Sequence, residues 1–248
     1  MYKRQVDSCS EIDTFSWSPK GVQIKDGPKA AWDNAISGYP YALNGYDDYF
    51  PFATKNARVC LNTSFEALNI ETKEATISGN TQKFDVIVNT IGPDVFMNKA
   101  YGPLKYLGRE LKLIVFPSES IFPKNVYFLY YANNEDFTRL VEYKKFTKHE
   151  SPTTLIGMEL PVNNGGYDYP MPFQEEQIKC EKYFNSMPKG IYSIGRAGSY
   201  LYGIDIDDCI KQAMIMADQL RHDSQDYAVP GEQYRFPELK KIRDERGY

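Results

Sequence analysis

The sequence has little of what most enzymes use for side-chain chemistry. Of 248 residues only two are histidine, His149 and His222, and both stand among charged neighbours. A Ser-His-Asp hydrolase or a histidine-ligated metal centre has almost nothing to be built from, and no metal site is expected. The four cysteines, Cys9, Cys60, Cys180 and Cys209, are far apart and form no CxxC pair. That spacing argues against a zinc cluster and, in a chain of this size, against a disulfide framework. No apolar run approaches the ~20 residues that a bilayer span needs, Leu113–Phe116 being typical. The 29 Lys and Arg against 33 Asp and Glu give a net charge of −4, with no general electrostatic footprint for nucleic acid. No GxGxxG follows a strand near the N-terminus, so a complete dinucleotide-binding βαβ unit is missing. Met1-Tyr-Lys-Arg-Gln has no apolar signal core behind it, and the expected compartment is the reducing cytoplasm.

What the chain has in excess is tyrosine, 20 residues, beside 14 phenylalanines. An apolar share of 42% with 25% charge is ordinary for a globular protein, and a chain this long buries a sizeable core unaided. Three stretches are expected. Residues 1–16 are polar and read as a non-native or disordered leader. Residues 17–222 form the functional region, and 223–248 a charged, proline-broken tail. Met1-Tyr-Lys-Arg-Gln also reads as the start of a chain that begins partway through a longer gene.

Within 17–222 a loop-rich segment runs to Phe52. Short strands are then expected at Arg58–Asn62, Phe65–Ile70 and Ala75–Ser78, with turns at Glu71–Glu74 and Gly79–Gln82. Phe84–Thr90 reads as a strand buried on both faces, leaving through Ile91-Gly-Pro. Further strands are expected at Leu111–Phe116, Val126–Tyr131, Thr138–Tyr143 and Thr153–Leu160, and a short helix at Glu175–Phe184. This is an α/β pattern.

The sharpest physical signal is a strand, glycine turn and helix over 191–220. Gly195 and Gly198 flank Arg196 and let the backbone approach a ligand closely. The helix that follows, from about Asp207 to Leu220, offers N–H groups and a partial positive charge at its start. Asp205 is its expected N-cap, with Asp208 three residues on. Ile210, Ala213, Met214 and Ala217 form its apolar stripe. Tyr200 and Tyr202 sit in the turn with phenolic donors. Spacing alone is also satisfied by an ordinary capped helix after a tight turn. A second cluster is Phe137-Thr-Arg-Leu-Val-Glu-Tyr-Lys, where alternation puts Arg139, Val141 and Tyr143 on one face. Arg139 there fits a phosphate clamp or a surface ion pair.

Taken in order and spacing, these segments resemble the UDP-galactopyranose mutases, flavoproteins related to the amine-oxidase group. The residues that carry the resemblance are Phe137-Thr-Arg-Leu-Val-Glu-Tyr-Lys, Tyr167-Asp-Tyr-Pro and Gly195-Arg-Ala-Gly-Ser-Tyr-Leu-Tyr-Gly-Ile-Asp-Ile-Asp. Thr90-Ile-Gly-Pro-Asp and the Tyr39–Tyr46 segment support it. The resemblance implies a mixed α/β (α+β) fold: an incomplete FAD/NAD(P)-binding Rossmann-like domain with an antiparallel β-sheet substrate domain. It implies that Arg139, Tyr169 and Tyr202 bind the diphosphate of a UDP-sugar. Gly195, Arg196, Asp205, Ile206 and Asp207 would contact FAD, with the backbone at 205–207 facing the flavin pyrimidine edge. Gly203-Ile204 makes the spacing between Tyr202 and Asp205 one residue longer than the family's usual. Lys25 is the nearest cation to the family's mobile-loop arginine.

The reaction so implied is an isomerisation of UDP-galactopyranose and UDP-galactofuranose, serving cell-surface polysaccharide synthesis. Reduced FAD acts as the nucleophile, so no side chain need be catalytic. A homodimer fits this reading; nucleic acid and membrane do not. Two alternatives stay open on the residues: a related FAD-dependent amine-oxidase-like oxidoreductase, and a non-catalytic nucleotide-sugar-binding remnant.

Overall fold

The computed structural model describes residues 44–131, 134–163 and 166–222. The expected leader, the Lys25 region, most of the Tyr39–Tyr46 segment and the 223–248 tail lie outside them. In chain order the first elements are α1 (Tyr49–Ala53), β1 (Phe65–Asn69), β2 (Glu74–Ile77), β3 (Asn80–Lys83), β4 (Ile87–Asn89) and α2 (Pro93–Phe96). Next come β5 (Tyr106–Phe116), β6 (Phe128–Tyr130), β7 (Arg139–Glu142), α3 (Lys144–Thr147) and β8 (Thr154–Val162). The last are β9 (Tyr169–Pro170), α4 (Gln174–Asn185), β10 (Ile191–Ser193), α5 (Gly195–Gly198) and α6 (Ile206–His222). They fall into two compact units. Of the described residues, one holds 44–61 and 107–166, the other 62–106 and 167–222.

The first unit is an antiparallel sheet in the order β6-β7-β8-β5. β5 and β8 pair from Gly108↔Val162 to Phe116↔Thr154, and β7 lies on β8 with Arg139 opposite Glu159 and Val141 opposite Gly157. Directly opposed residues share a face, so Arg139, Val141, Gly157 and Glu159 line one side, and Leu140, Glu142 and Ile156 the other. The alternation expected for the arginine strand holds. Glu142 is fully buried on its side, an unusual place for a carboxylate. It accepts hydrogen bonds from the Ile121 and Phe122 N–H groups, both 2.9 Å, and from the Thr154 hydroxyl at 2.8 Å. Lys145 stands 3.3 Å away. Burial pushes this carboxyl up, but the two N–H groups, the hydroxyl and the ammonium outweigh it and hold it down at about 2. Glu142 therefore fastens the 120–122 loop to the sheet.

The second unit begins with the β1-β2-β3 meander. The β2–β3 hairpin turns on Ser78 and Gly79, at φ 50 and 76, between the paired Ile77 and Asn80. Positive φ at both central residues is the turn whose twist matches its strands. The expected turn at Gly79–Gln82 is thus too long: Asn80–Gln82 are strand. The expected strand at Arg58–Asn62 is not formed, and Asn62 takes a left-handed φ of 52 there.

β4 and β10 form a parallel pair with Ile87 opposite Ile191. Consecutive residues of β10 serve opposite faces. Ile191 packs with Cys180, Tyr183 and Phe184 of α4 and with Phe96, Leu104, Tyr106 and Tyr200. Tyr192 packs with Ile194 and Met216 of α6. Helices on both faces of a parallel pair are what α/β burial requires. On β4 itself, however, Val88 is exposed, so that strand is covered less completely than its sequence suggests.

The orientation of α6 corrects the expected stripe. Ile210, Ala213 and Met214 are exposed, and the buried row is Asp208, Gln212 and Met216. The reason is polar. Asp208 accepts from the Asp205 N–H at 2.9 Å, while Gln212 accepts from the Gly195 N–H at 2.9 Å and donates to the Ser199 hydroxyl at 3.2 Å. Leaving such buried groups unpaired costs about 1–3 kcal/mol each, and the helix rotates to pair them.

Candidate functional site

In the first unit the Arg139 guanidinium is gripped along one edge. Its Nε and Nη2 donate to the same Glu159 oxygen at 3.0 and 2.6 Å, and Nη1 donates to the Tyr130 hydroxyl at 3.3 Å. The cation also lies over the rings of Phe128 (5.9 Å) and Tyr130 (5.6 Å). Burial lowers the pKa of the guanidinium, but Glu159 and Tyr130 raise it further than burial lowers it. Of the five N–H groups of an arginine, three are used, and one remains on each terminal nitrogen. Glu159 turns its other oxygen to Arg109, 3.4 Å away, so two guanidiniums share one carboxylate. The ion pair and the clamp expected as alternatives for Arg139 are compatible in one arrangement.

Glu159, Arg109 and Tyr130 were not among the candidates drawn from the sequence. A signal existed: a carboxylate inside the strand-like run Thr153–Leu160 needs a cation on its own face of the sheet.

In the second unit, Tyr169 of β9 and Tyr202 meet edge to face with centroids 5.7 Å apart. The structure therefore brings together two of the three residues expected to bind the diphosphate. Tyr200 is different from Tyr202. It is fully buried, at a left-handed φ of 50, and its hydroxyl donates to the Lys105 carbonyl. Its ring also packs on Tyr106, 5.2 Å between centroids. Burial first, and then the nearby Glu176 carboxylate, raise its pKa, so the phenol stays neutral. Tyr200 anchors the turn and Tyr202 faces outward from it.

The glycine turn stands at the carboxyl end of the parallel pair. Asn89 donates to the Ser193 hydroxyl at 2.7 Å and to the Ile91 carbonyl at 2.8 Å, and Ser193 donates to the Gly198 carbonyl at 2.8 Å. A side chain at 198 would put its Cβ 2.9 Å from the Asn89 carbonyl, so only glycine lets the turn lie this close. Gly195 has the opposite reason: its φ is +78 and open space lies over its Cα. Arg196 donates to the Ile204 carbonyl at 2.9 Å and pairs with Asp205 at 3.2 Å, tying the turn to the start of α6. There Ile206 and Asp207 are exposed. The approachable Gly195 backbone and the exposed start of a 17-residue helix fit the flat edge of a flavin ring. The Arg196–Asp205 pair keeps one carboxylate there neutralised.

Among the described residues no group of three His, Cys, Asp or Glu could hold a metal ion, and no helix is long and apolar enough to cross a membrane.

The two units define a mixed α/β protein, a parallel-strand layer with a glycine turn in one and an antiparallel sheet with an arginine face in the other. The profile of the UDP-galactopyranose mutase family matches residues 2–202, and the chain belongs to that family. Among solved structures the chain is similar to one described as reduced UDP-galactopyranose mutase, at 14% identity with a TM-score of 0.60. The match covers 78% of this chain and 55% of that one, so the chain spans about half the length of the solved relative. No curated protein matches.

Proposed function

We propose that the chain contributes the UDP-sugar-binding and flavin-facing part of an FAD-dependent mutase that interconverts UDP-galactopyranose and UDP-galactofuranose in the cytoplasm. The observation that carries this reading is Arg139. Its guanidinium is fixed on one edge by Glu159 and flanked by two aromatic rings, with one N–H left on each terminal nitrogen. Two remaining N–H donors on one planar cation can each meet an oxygen of a phosphate. Tyr169 and Tyr202 are phenolic donors of the kind that hold the same class of ligand.

In this reading Gly195, Arg196 and the backbone at Asp205, Ile206 and Asp207 hold FAD. When bound and reduced, the flavin supplies the nucleophilic electron pair for the sugar, which no side chain of this chain has to provide. Arg196 steadies Asp205 and with it the start of α6. Arg139 binds and orients the diphosphate leaving group, whose charge grows as the bond to the sugar breaks.

Calorimetric titration of the chain with UDP tests the reading. Arg139→Ala is expected to weaken binding about ten- to a hundredfold, the loss of a charge-assisted contact of ~1.5–3 kcal/mol. Unchanged affinity would overturn the clamp. Titration of FAD absorbance with the chain tests the flavin-facing turn.

A further inference from the structure

Tyr143 follows β7 on the same face as Arg139 and Val141, and its N–H still donates to the Leu155 carbonyl at 3.3 Å. The hydroxyl end of its ring lies against Gly157. A Cβ at 157 would stand 2.5 Å from the Tyr143 hydroxyl and 2.7 and 2.9 Å from two ring carbons. Gly157 has no positive φ to explain it, so the glycine is there for space, and the space is filled by this one ring. The ring is half-buried, yet among the described residues its hydroxyl makes no hydrogen bond. A phenol packed against protein ordinarily finds a partner. Burial first, and then the Glu159 carboxylate, raise its pKa, while Arg109 and Arg139 oppose them. The phenol is thus neutral at pH 7, a donor within electrostatic reach of all three charged groups.

We propose that Tyr143 is a further ligand-contacting residue of this face, its hydroxyl donating to the phosphate group that Arg139 binds, with Gly157 as the residue that admits the ring. The proposal rests on the reading of Arg139 as a phosphate clamp and extends it. Two N–H groups of Arg139 and one phenol together supply three donors on one face of the sheet, enough to meet three oxygens of a phosphate.

The test titrates the chain with UDP and with uridine, which has the base and ribose but no phosphate. Tyr143→Phe keeps the ring and removes only the hydroxyl. It is expected to weaken UDP binding about five- to tenfold, with uridine affinity and thermal midpoint unchanged. Gly157→Ala, which displaces the ring, is expected to weaken UDP binding in the same direction. If Arg139→Ala loses UDP while Tyr143→Phe binds it like the parent, the inference on Tyr143 is overturned and the clamp stands. Equal losses for UDP and uridine in Tyr143→Phe would assign the residue a packing role and also overturn it. If Arg139→Ala binds UDP normally, the clamp itself falls, and this inference with it.

Discussion

Tyr169 and Tyr202 stand edge to face, 5.7 Å between ring centroids, one on a two-residue strand and the other just after the glycine turn. Edge-to-face pairs are worth ~0.5–1.5 kcal/mol beyond their buried area. A double-mutant cycle of Tyr169→Ala and Tyr202→Ala, read by denaturant unfolding, should return a coupling in that range. The Phe variants should keep the coupling and lose UDP affinity by a few-fold each. Additive Ala effects would show that the two rings do not support each other.

Glu159 is nearly buried and holds two arginines. Glu159→Gln removes the charge between two guanidiniums while leaving the shape. Because both arginines are partly exposed, the cost should be about 2 kcal/mol, below that of a fully buried pair. It is read by chemical unfolding at pH 7. Glu159→Gln should also weaken UDP binding, since Arg139 loses the carboxylate that orients it. A variant as stable as the parent would show that the pair adds nothing to the fold.

The Glu142 carboxyl is held at about 2 against an ordinary 4.5. A folded value below the unfolded one stabilises the fold above pH 4.5, and that contribution disappears as the pH falls toward 2. Glu142→Gln should therefore cost about 2 kcal/mol at pH 7, where it unpairs buried N–H donors. The gap between parent and variant should close on acidification through this window. A gap independent of pH would assign the effect to shape rather than charge.

The two glycines of the turn should fail differently. Gly198→Ala forces a Cβ against backbone and should cost about 1–3 kcal/mol with no smaller residue to rescue it. Gly195→Ala meets no atom and pays only for its positive φ, about 1 kcal/mol, and Gly195→Asn should recover part of this because Asn tolerates the left-handed region. Thermal unfolding of the three variants orders them. Equal losses at both positions would contradict the distinction.

Local signals in the sequence were enough for much of this. The face carrying Arg139 follows from strand alternation, and the Asp205–Asp208 start of α6 from capping spacing. The expected helix at 175–184 lies within the observed Gln174–Asn185. What local signals miss is where partners come from across the chain. Glu159 matters because it lies opposite Arg139 in the register, and no spacing rule reports that. The rotation of α6 went the other way from its apolar stripe because Gly195 and Ser199 need Gln212. Tyr200 and Tyr202 look equivalent as phenols in one turn; the left-handed backbone at Tyr200 and its burial against Tyr106 separate them.

The grip of Glu159 on Arg139 has a thermodynamic consequence. A free arginine side chain forfeits up to about 2 kcal/mol of rotamer freedom when a ligand pins it. Here that freedom is already surrendered when the sheet folds, before any anion arrives. Association with a diphosphate should accordingly show a large favourable heat and only a small entropic penalty from the protein, the calorimetric mark of a preorganised receptor.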